Sequence, residues 1–203
     1  MNENAAFVLD DINQRLSLRS PQYESLKRLA KAIGAAGLKK AASKEELDAQ
    51  LAAVGEAFPA AQCPEVQFPN AADFHWGFLS FCFALATGVG KTRLMGAIIA
   101  YLYRTRGIRN FVVVAPGKTV YEKLIADFTE GTPKYVFKGL SCFATKKPAL
   151  FINTEMKVAA SCALAALAPA APHTDKTSRL HVRLHGIGLQ VFGSGGRGAR
   201  TPE

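Results

Sequence analysis

The sequence has few cysteines, no long apolar run and no sign of a leader segment. Its four cysteines are widely spaced and form no C-x-x-C pair. This spacing argues against a zinc ribbon or a disulfide scaffold and predicts a cytoplasmic protein. The N-terminal residues MNENAAFVLDD contain no basic stretch followed by an apolar core, so we expect no secretory signal. The most apolar late run, residues 158–168, is too short to cross a bilayer, so no membrane partner is expected.

Acidic residues are also scarce relative to basic ones. The 203 residues include 16 Asp and Glu against 25 Lys and Arg, which gives a formal net charge of +9. Excess positive charge favours polyanionic partners because each phosphate contact releases counterions, although a merely basic surface explains the charge equally well. Hydrophobic residues make up 49% and charged residues 20%, which is typical of a folded globular protein.

The N-terminal segment, residues 1–70, is predicted to be helical. Apolar residues recur at helical spacing in a first helix, and a second helix begins with Ser20 as N-cap and Pro21 at its first position. We expect this second helix to end near Gly34. A third helix follows the capping-box pattern S-x-x-E that starts at Ser43.

The pattern then changes to that of an α/β domain. Residues 80–86, SFCFALA, are a short apolar run typical of a buried strand, and a glycine-rich loop and a helix ending near Gly107 follow it. Residues 110–116 predict a second buried strand, and Thr119 is expected to cap the next helix. Two further strands are predicted at KYVF (residues 134–137) and ALFI (residues 149–152). This order of elements predicts a right-handed crossover and a parallel α/β sheet.

The C-terminal segment, residues 157–203, is rich in Ala, Pro, Gly and Arg, and we expect it to be a weakly structured basic tail. It contains His181 and His185, whose spacing would place two metal ligands on one helix face. No third ligand has a matching spacing, and a basic strand explains the same residues equally well.

The sequence ATGVGKT, residues 86–92, has the elements of a triphosphate-binding site. Glycines at two positions allow strained backbone angles and a close approach to phosphate oxygens, and the N-terminus of the following helix favours an anion. Lys91 would place a positive charge on the β- and γ-phosphates, and the Thr92 hydroxyl would bind Mg²⁺. The predicted nucleotide-binding residues of the loop are Thr87, Gly88, Val89, Gly90, Lys91 and Thr92. A chance match in an irregular loop is disfavoured because an apolar strand precedes the motif and an amphipathic helix follows it.

The first Gly of the general G-x-x-x-x-G-K-[ST] pattern is missing, because Leu85 occupies that position. In this respect LATGVGKT resembles the loop of superfamily 2 DNA helicases and translocases. VVVAPGKTVYEKLIADF resembles the strand and helix of helicase motif Ia, and KYVFKG follows it much as in the Res subunits of type III restriction enzymes. The resemblance extends more weakly to LRSPQYESL near the start. It implies a RecA-like P-loop NTPase fold, with residues 71–156 as a partial ATP-binding domain.

The resemblance also implies ATP and Mg²⁺ as cofactors and DNA as a partner, with a modification methyltransferase subunit as a further candidate. Gln22 aligns with the glutamine that recognises adenine in such motors; the alternative is a surface glutamine in the first helical turn. Pro116, Lys118 and Thr119 would contact DNA phosphates. The family usually has Asn-Leu-Thr where this chain has Gly117, Lys118 and Thr119. Lys118 is therefore either a phosphate contact or a solvated lysine, and Thr119 is either a contact or only an N-cap.

The hydrolytic carboxylates of such motors are absent from the sequence. No D-E-x-H or D-E-x-D occurs, and we find neither a second motor domain nor a nuclease motif. We therefore predict no catalytic residue, and expect an ATP- and DNA-binding N-terminal portion of a Res-type helicase that hydrolyses ATP poorly by itself. Two alternatives stay open: a non-catalytic ATP-binding interaction module, or a truncated gene product without a separate function.

Overall fold

The computed structural model describes residues 3–38, 41–64, 80–115, 118–152, 163–168, 179–184 and 187–192. The helices in these ranges are α1 (Glu3–Leu16), α2 (Ser20–Ala36), α3 (Lys44–Ala57), α4 (Lys91–Arg106) and α5 (Lys118–Phe128), with a short 3₁₀ helix at Ser141–Phe143. The strands are β1 (Ser80–Phe83), β2 (Asn110–Ala115), β3 (Ala149–Ile152), β4 (Ala163–Ala168), β5 (Arg179–Leu184) and β6 (Ile187–Phe192).

Helix α4 lies at the centre of the hydrophobic core. Every residue from Leu94 to Leu102 is buried, because α1 and α2 pack against this helix. On another side, a Cβ atom placed on Gly96 would lie only 3.0 Å from the Cβ of Val136, in the turn segment after α5. The body of α4, which follows the glycine-rich loop, is therefore packed on several sides.

The three N-terminal helices are where the sequence predicts them, with two differences in the bounds of α2. Its N-cap is Arg19 and not Ser20, because the side chain of Gln22 closes the cap one residue earlier. The helix also continues past Gly34, which has no positive φ. It ends at Ala36, and Gly37, with a φ of +76°, is its C-cap. Ser43 caps α3 as expected, since its Oγ accepts a hydrogen bond from the backbone N–H of Glu46.

The six strands form one sheet in the order β1-β5-β6-β2-β4-β3. Among the described strands, only β1 and β5 pair in parallel, and the other four pairs are antiparallel. The pairing therefore does not confirm the predicted parallel sheet. One reason is that only residues 185 and 186 separate β5 from β6, which is too short for a crossover connection. Strands β4, β5 and β6 all lie within the 157–203 segment that we expected to be weakly structured.

The prediction of a strand at KYVF, residues 134–137, is wrong. This segment forms successive turns, in which the N–H of Tyr135 donates to the carbonyl of Thr132 and that of Lys138 to the carbonyl of Tyr135, both at 3.2 Å. Gly131 and Gly139, on either side of the segment, both have positive φ angles. Its apolar residues still enter the core. The predicted strand ALFI is confirmed as β3.

Two further bounds differ from the predictions. Strand β1 ends at Phe83, three residues before the predicted end, and it is not covered on both faces because Cys82 is exposed. Helix α5 already includes Lys118, so Thr119 lies inside its first turn and is not its N-cap.

Candidate nucleotide-binding site

The glycine-rich loop connects β1 to α4 and turns through two left-handed residues. Gly88 has a φ of +83° and Gly90, the N-cap of α4, has a φ of +92°. Residues with a Cβ rarely adopt such angles, so the loop requires glycine at both positions. The carbonyl of Gly90 accepts a hydrogen bond from the N–H of Leu94 at 3.2 Å, which starts the helix.

Residues 87 and 88 form a turn, which directs the N–H of Val89 toward the carbonyl of Ala86. Within the described residues, the N–H groups of Thr87, Gly88 and Gly90 donate to no backbone carbonyl. They stand directly before the N-terminus of α4, where the helix dipole adds positive potential. The side chain of Lys91 extends toward the start of the loop, where its Nζ donates to the carbonyl of Ala86 at 3.1 Å. Thr92 follows in the first turn of α4 and is half-buried. The N–H groups of the loop, a helix N-terminus and an ammonium group together suit an anionic ligand.

The carbonyl groups of the same loop are held by the start of α2. Gln22 Nε2 donates to the carbonyls of Val89 and Gly90, at 2.9 Å and 2.8 Å. Arg19 Nη1 donates to the carbonyl of Gly88 at 3.1 Å. These three hydrogen bonds join residues almost 70 positions apart. They hold the carbonyl groups of the loop toward the start of α2.

A further arginine, Arg93, anchors the first turn of α4 to the N-terminal helices. Arg93, the residue after Thr92, donates from Nη1 to the carbonyl of Leu16 at 2.6 Å. The first turn of α4 is therefore tied to the end of α1, as the loop is tied to α2.

The predicted DNA-contacting residues are only partly described. Pro116 and Gly117 lie outside the described residues. Lys118 and Thr119 are exposed in the first turn of α5. The side chain of Lys118 is 87% exposed, and its Nζ lies 3.7 Å from Glu122 Oε1. Such an exposed ion pair constrains the lysine little and leaves it accessible to a polyanion.

The described residues contain no group of three or more His, Cys, Asp or Glu side chains that could hold a metal ion. His181 lies on β5, whereas His185 is outside the described ranges. Within those ranges, no helix is both long enough and apolar enough to cross a membrane.

Arg19 is the residue of this site that the sequence did not reveal. Its position directly before the helix that carries Gln22 is a weak signal, because arginine is common at helix starts and on surfaces. Only the folded chain shows that its guanidinium reaches the carbonyl of Gly88.

The family comparison agrees with this arrangement. The family described as type III restriction enzyme, res subunit, matches residues 15–168, about three quarters of the chain. The chain belongs to this family. No curated protein and no solved structure matches it. The resemblance to the N-terminal, helicase-like part of Res subunits is therefore confirmed, and membership of the Res family implies a RecA-like fold. The matched region includes both Gln22 and the whole glycine-rich loop.

Proposed function

We propose that this chain is the ATP- and DNA-binding N-terminal region of a type III Res subunit, and that residues 87–92 bind Mg-ATP. One observation carries the proposal: the loop turns through two left-handed glycines whose N–H groups donate to no described backbone carbonyl, at the N-terminus of a buried helix and next to the ammonium group of Lys91. An ordinary surface loop has no reason to combine these features, and each of them favours phosphate.

The residues present fit a magnesium triphosphate. The N–H groups of Gly88 and Gly90 would donate to phosphate oxygens, and the ammonium of Lys91 would exchange the Ala86 carbonyl for phosphate. Thr92 would supply a hydroxyl to Mg²⁺. When bound, Mg²⁺ neutralises charge on the phosphates. The open space that a Cβ on Gly88 would meet leaves this side of the loop accessible.

We further propose that the chain hydrolyses ATP slowly. Hydrolysis in such motors needs acidic residues that position Mg²⁺ and the attacking water, and the sequence contains no D-E-x-H or D-E-x-D. Binding and turnover should therefore separate in this protein.

The ATP proposal is tested by calorimetric titration of Mg-ATP into the wild-type chain, Lys91→Ala and the matched control Lys134→Ala, which replaces an exposed lysine in the turn after α5. Loss of the Lys91 charge should weaken binding about tenfold or more, since a charge-assisted contact contributes ~1.5–3 kcal/mol. The control should bind like the wild type. Equal affinity of all three proteins would contradict the proposal.

An ATPase assay on the same samples, with and without DNA, tests the second part. We expect the wild-type chain to hydrolyse ATP about as slowly as Lys91→Ala, both with and without DNA. Strong DNA-stimulated turnover that Lys91→Ala abolishes would show that a carboxylate elsewhere in the chain completes the site.

DNA binding is proposed for the first turn of α5. Lys118 and Thr119 are exposed there, where a helix N-terminus, a hydroxyl and an ammonium group suit a phosphate backbone. The family also makes a modification methyltransferase a candidate partner, and we assign no surface to it.

A further inference from the structure

Gln22 is buried where the start of α2 meets the glycine-rich loop. Its side chain is only 2% exposed, and its Nε2 donates to the carbonyls of Val89 and Gly90 at 2.9 Å and 2.8 Å. A primary amide carries two N–H donors, so both donors of Gln22 are used inside the protein. A ligand that needs a donor from this amide would have to break a contact with the loop.

The amide oxygen of Gln22 is also engaged. Gln22 Oε1 accepts the backbone N–H of Arg19 at 2.7 Å and thereby closes the N-terminus of α2. One side chain thus caps a helix with its oxygen and holds the loop with its nitrogen. Because the two groups bond in different directions, rotation of the amide would break the hydrogen bonds of both.

This geometry conflicts with recognition of a base by Gln22. Reading adenine through a primary amide requires a free donor for a ring nitrogen and a free acceptor for the exocyclic amino group. Gln22 has no free donor, and a base could contact almost none of its surface. The neighbouring Gly90 closes the site further, since even a Cβ there would lie 2.5 Å from Gln22 Nε2.

We infer that Gln22 is a positioning residue of the phosphate-binding loop and that, within the described part of the chain, the loop binds magnesium triphosphates and Gln22 gives the site no preference for adenine. By holding the carbonyls of Val89 and Gly90 on the α2 side, Gln22 leaves the N–H groups of the loop directed to the phosphates. The inference rests on the proposed function, because it concerns the ligand of the same loop.

The first test needs no variant. Mg-ATP, Mg-GTP and magnesium tripolyphosphate, which has no base, are titrated into the wild-type chain. We expect the ATP and GTP dissociation constants to agree within a factor of about three, and tripolyphosphate to bind the same site competitively. A preference for ATP of about tenfold or more over GTP would overturn the inference while leaving the proposed function intact. Failure of all three ligands to bind would contradict the proposed function, and the inference with it.

The second test uses Gln22→Met, which keeps the length and charge of the side chain but removes its hydrogen bonds. Gln62→Met, at an exposed loop position, is the matched control. Measured below the unfolding temperature of the variant, affinities for all three ligands should fall by a similar factor, about tenfold, so that their ratio is unchanged. A loss confined to ATP would overturn the inference.

A spectroscopic readout separates positioning from a general loss of stability. The side-chain amide resonances of Gln22 should respond alike to ATP, GTP and tripolyphosphate, because the base does not contact this amide. A shift with ATP that tripolyphosphate does not produce would assign Gln22 to the base and overturn the inference.

Discussion

At the scale of single residues, Gly90 meets two requirements at once. Its φ of +92° costs a residue with a Cβ ~1–2 kcal/mol, and that Cβ would lie 2.5 Å from Gln22 Nε2. Gln22 cannot retreat easily, since the same nitrogen donates to the carbonyls of Val89 and Gly90. Gly88 differs, because only its φ of +83° demands glycine and its surroundings are open.

Gly90→Ala should therefore lower both stability and ligand affinity. We expect a loss of about 1–3 kcal/mol in the free energy of unfolding, from backbone strain and displacement of Gln22, with markedly weaker binding of magnesium triphosphates. Urea denaturation and the titration described above measure the two effects.

Gly34→Ala is the matched control. Gly34 lies inside α2 without a positive φ, and a Cβ there would meet no atom within 4 Å. Alanine should stabilise this position by about 0.5–1 kcal/mol, because it favours the helix. If Gly90→Ala behaved like Gly34→Ala in both measurements, the described geometry of the loop would be wrong.

The sequence predicts part of this site because the glycine-rich motif itself encodes backbone geometry. Gly88 and Gly90 have the left-handed angles that the motif implies, and Lys91 begins a helix as expected. The contact of Gln22 with the loop could not be predicted, because it joins residues 67 and 68 positions apart and no local pattern specifies it.

At the scale of secondary structure elements, a cluster of charged side chains joins α1 to α4. Asp11 Oδ1 accepts a hydrogen bond from Arg15 Nε at 2.5 Å, and its other oxygen accepts one from Arg104. Arg15 also donates to the carbonyl of Gly139 at 3.3 Å. The cluster lies toward the C-terminal end of α4, so it helps to hold the helix that carries the loop at its other end.

The pKa of Asp11 reports this cluster. Burial would raise the pKa, but hydrogen bonds and charge interactions with Arg15 and Arg104 outweigh burial and hold the pKa below its ordinary value of 3.8. Because the folded-state pKa is below the unfolded-state value, the carboxylate contributes stability above pH 3.8. That contribution is lost as the pH falls through the lower, folded-state pKa.

Asp11→Asn should therefore cost about 1 kcal/mol in the free energy of unfolding at neutral pH, and its cost should shrink as the pH falls from about 5 to 2. Urea denaturation across that range provides the measurement. Asp48→Asn, at an exposed position on α3, is the control and should change little. A difference between wild type and Asp11→Asn that stays constant with pH would contradict the role of the ion pairs.

The helices follow from the sequence more directly than the strands. Local spacing of apolar residues and local caps, such as Ser43, determine the helices. Strand partners are not local: β2 pairs with β4 and β6, both of which come later in the chain. The residues of KYVF were wrongly predicted because apolar character alone does not distinguish a strand from buried turns.

At the scale of the whole molecule, the net charge of +9 favours nucleic acid, and binding should depend on salt. If α5 supplies about two phosphate contacts, DNA affinity should fall about tenfold when salt rises from about 50 to 200 mM. Lys118→Ala should weaken binding and lower the salt dependence, as measured by fluorescence anisotropy with labelled single- and double-stranded DNA. Lys44→Ala, an exposed lysine on α3, is the control. If both substitutions weakened DNA binding equally, the first turn of α5 would not be a DNA site, and the binding would be non-specific attraction by the basic surface.

Family membership was predictable because it rests on contiguous motifs, whereas the order of the sheet was not. The strand–loop–helix order indicates a P-loop domain, yet β5 and β6 lie between β1 and β2. A basic strand was one of two explanations for the residues around His181, which lies on β5, but neither strand has a motif that indicates its place in the sheet.

The central claim is that the N–H groups of the glycine-rich loop bind a magnesium triphosphate. Its most direct test is to follow the backbone amide resonances of residues 87–92 by NMR while Mg-ATP is added to the wild-type chain and to Lys91→Ala. We predict saturable shifts at Gly88, Gly90 and Lys91 in the wild type, and much smaller shifts in the variant at the same concentrations. Unchanged loop resonances, or shifts that Lys91→Ala does not reduce, would contradict the claim.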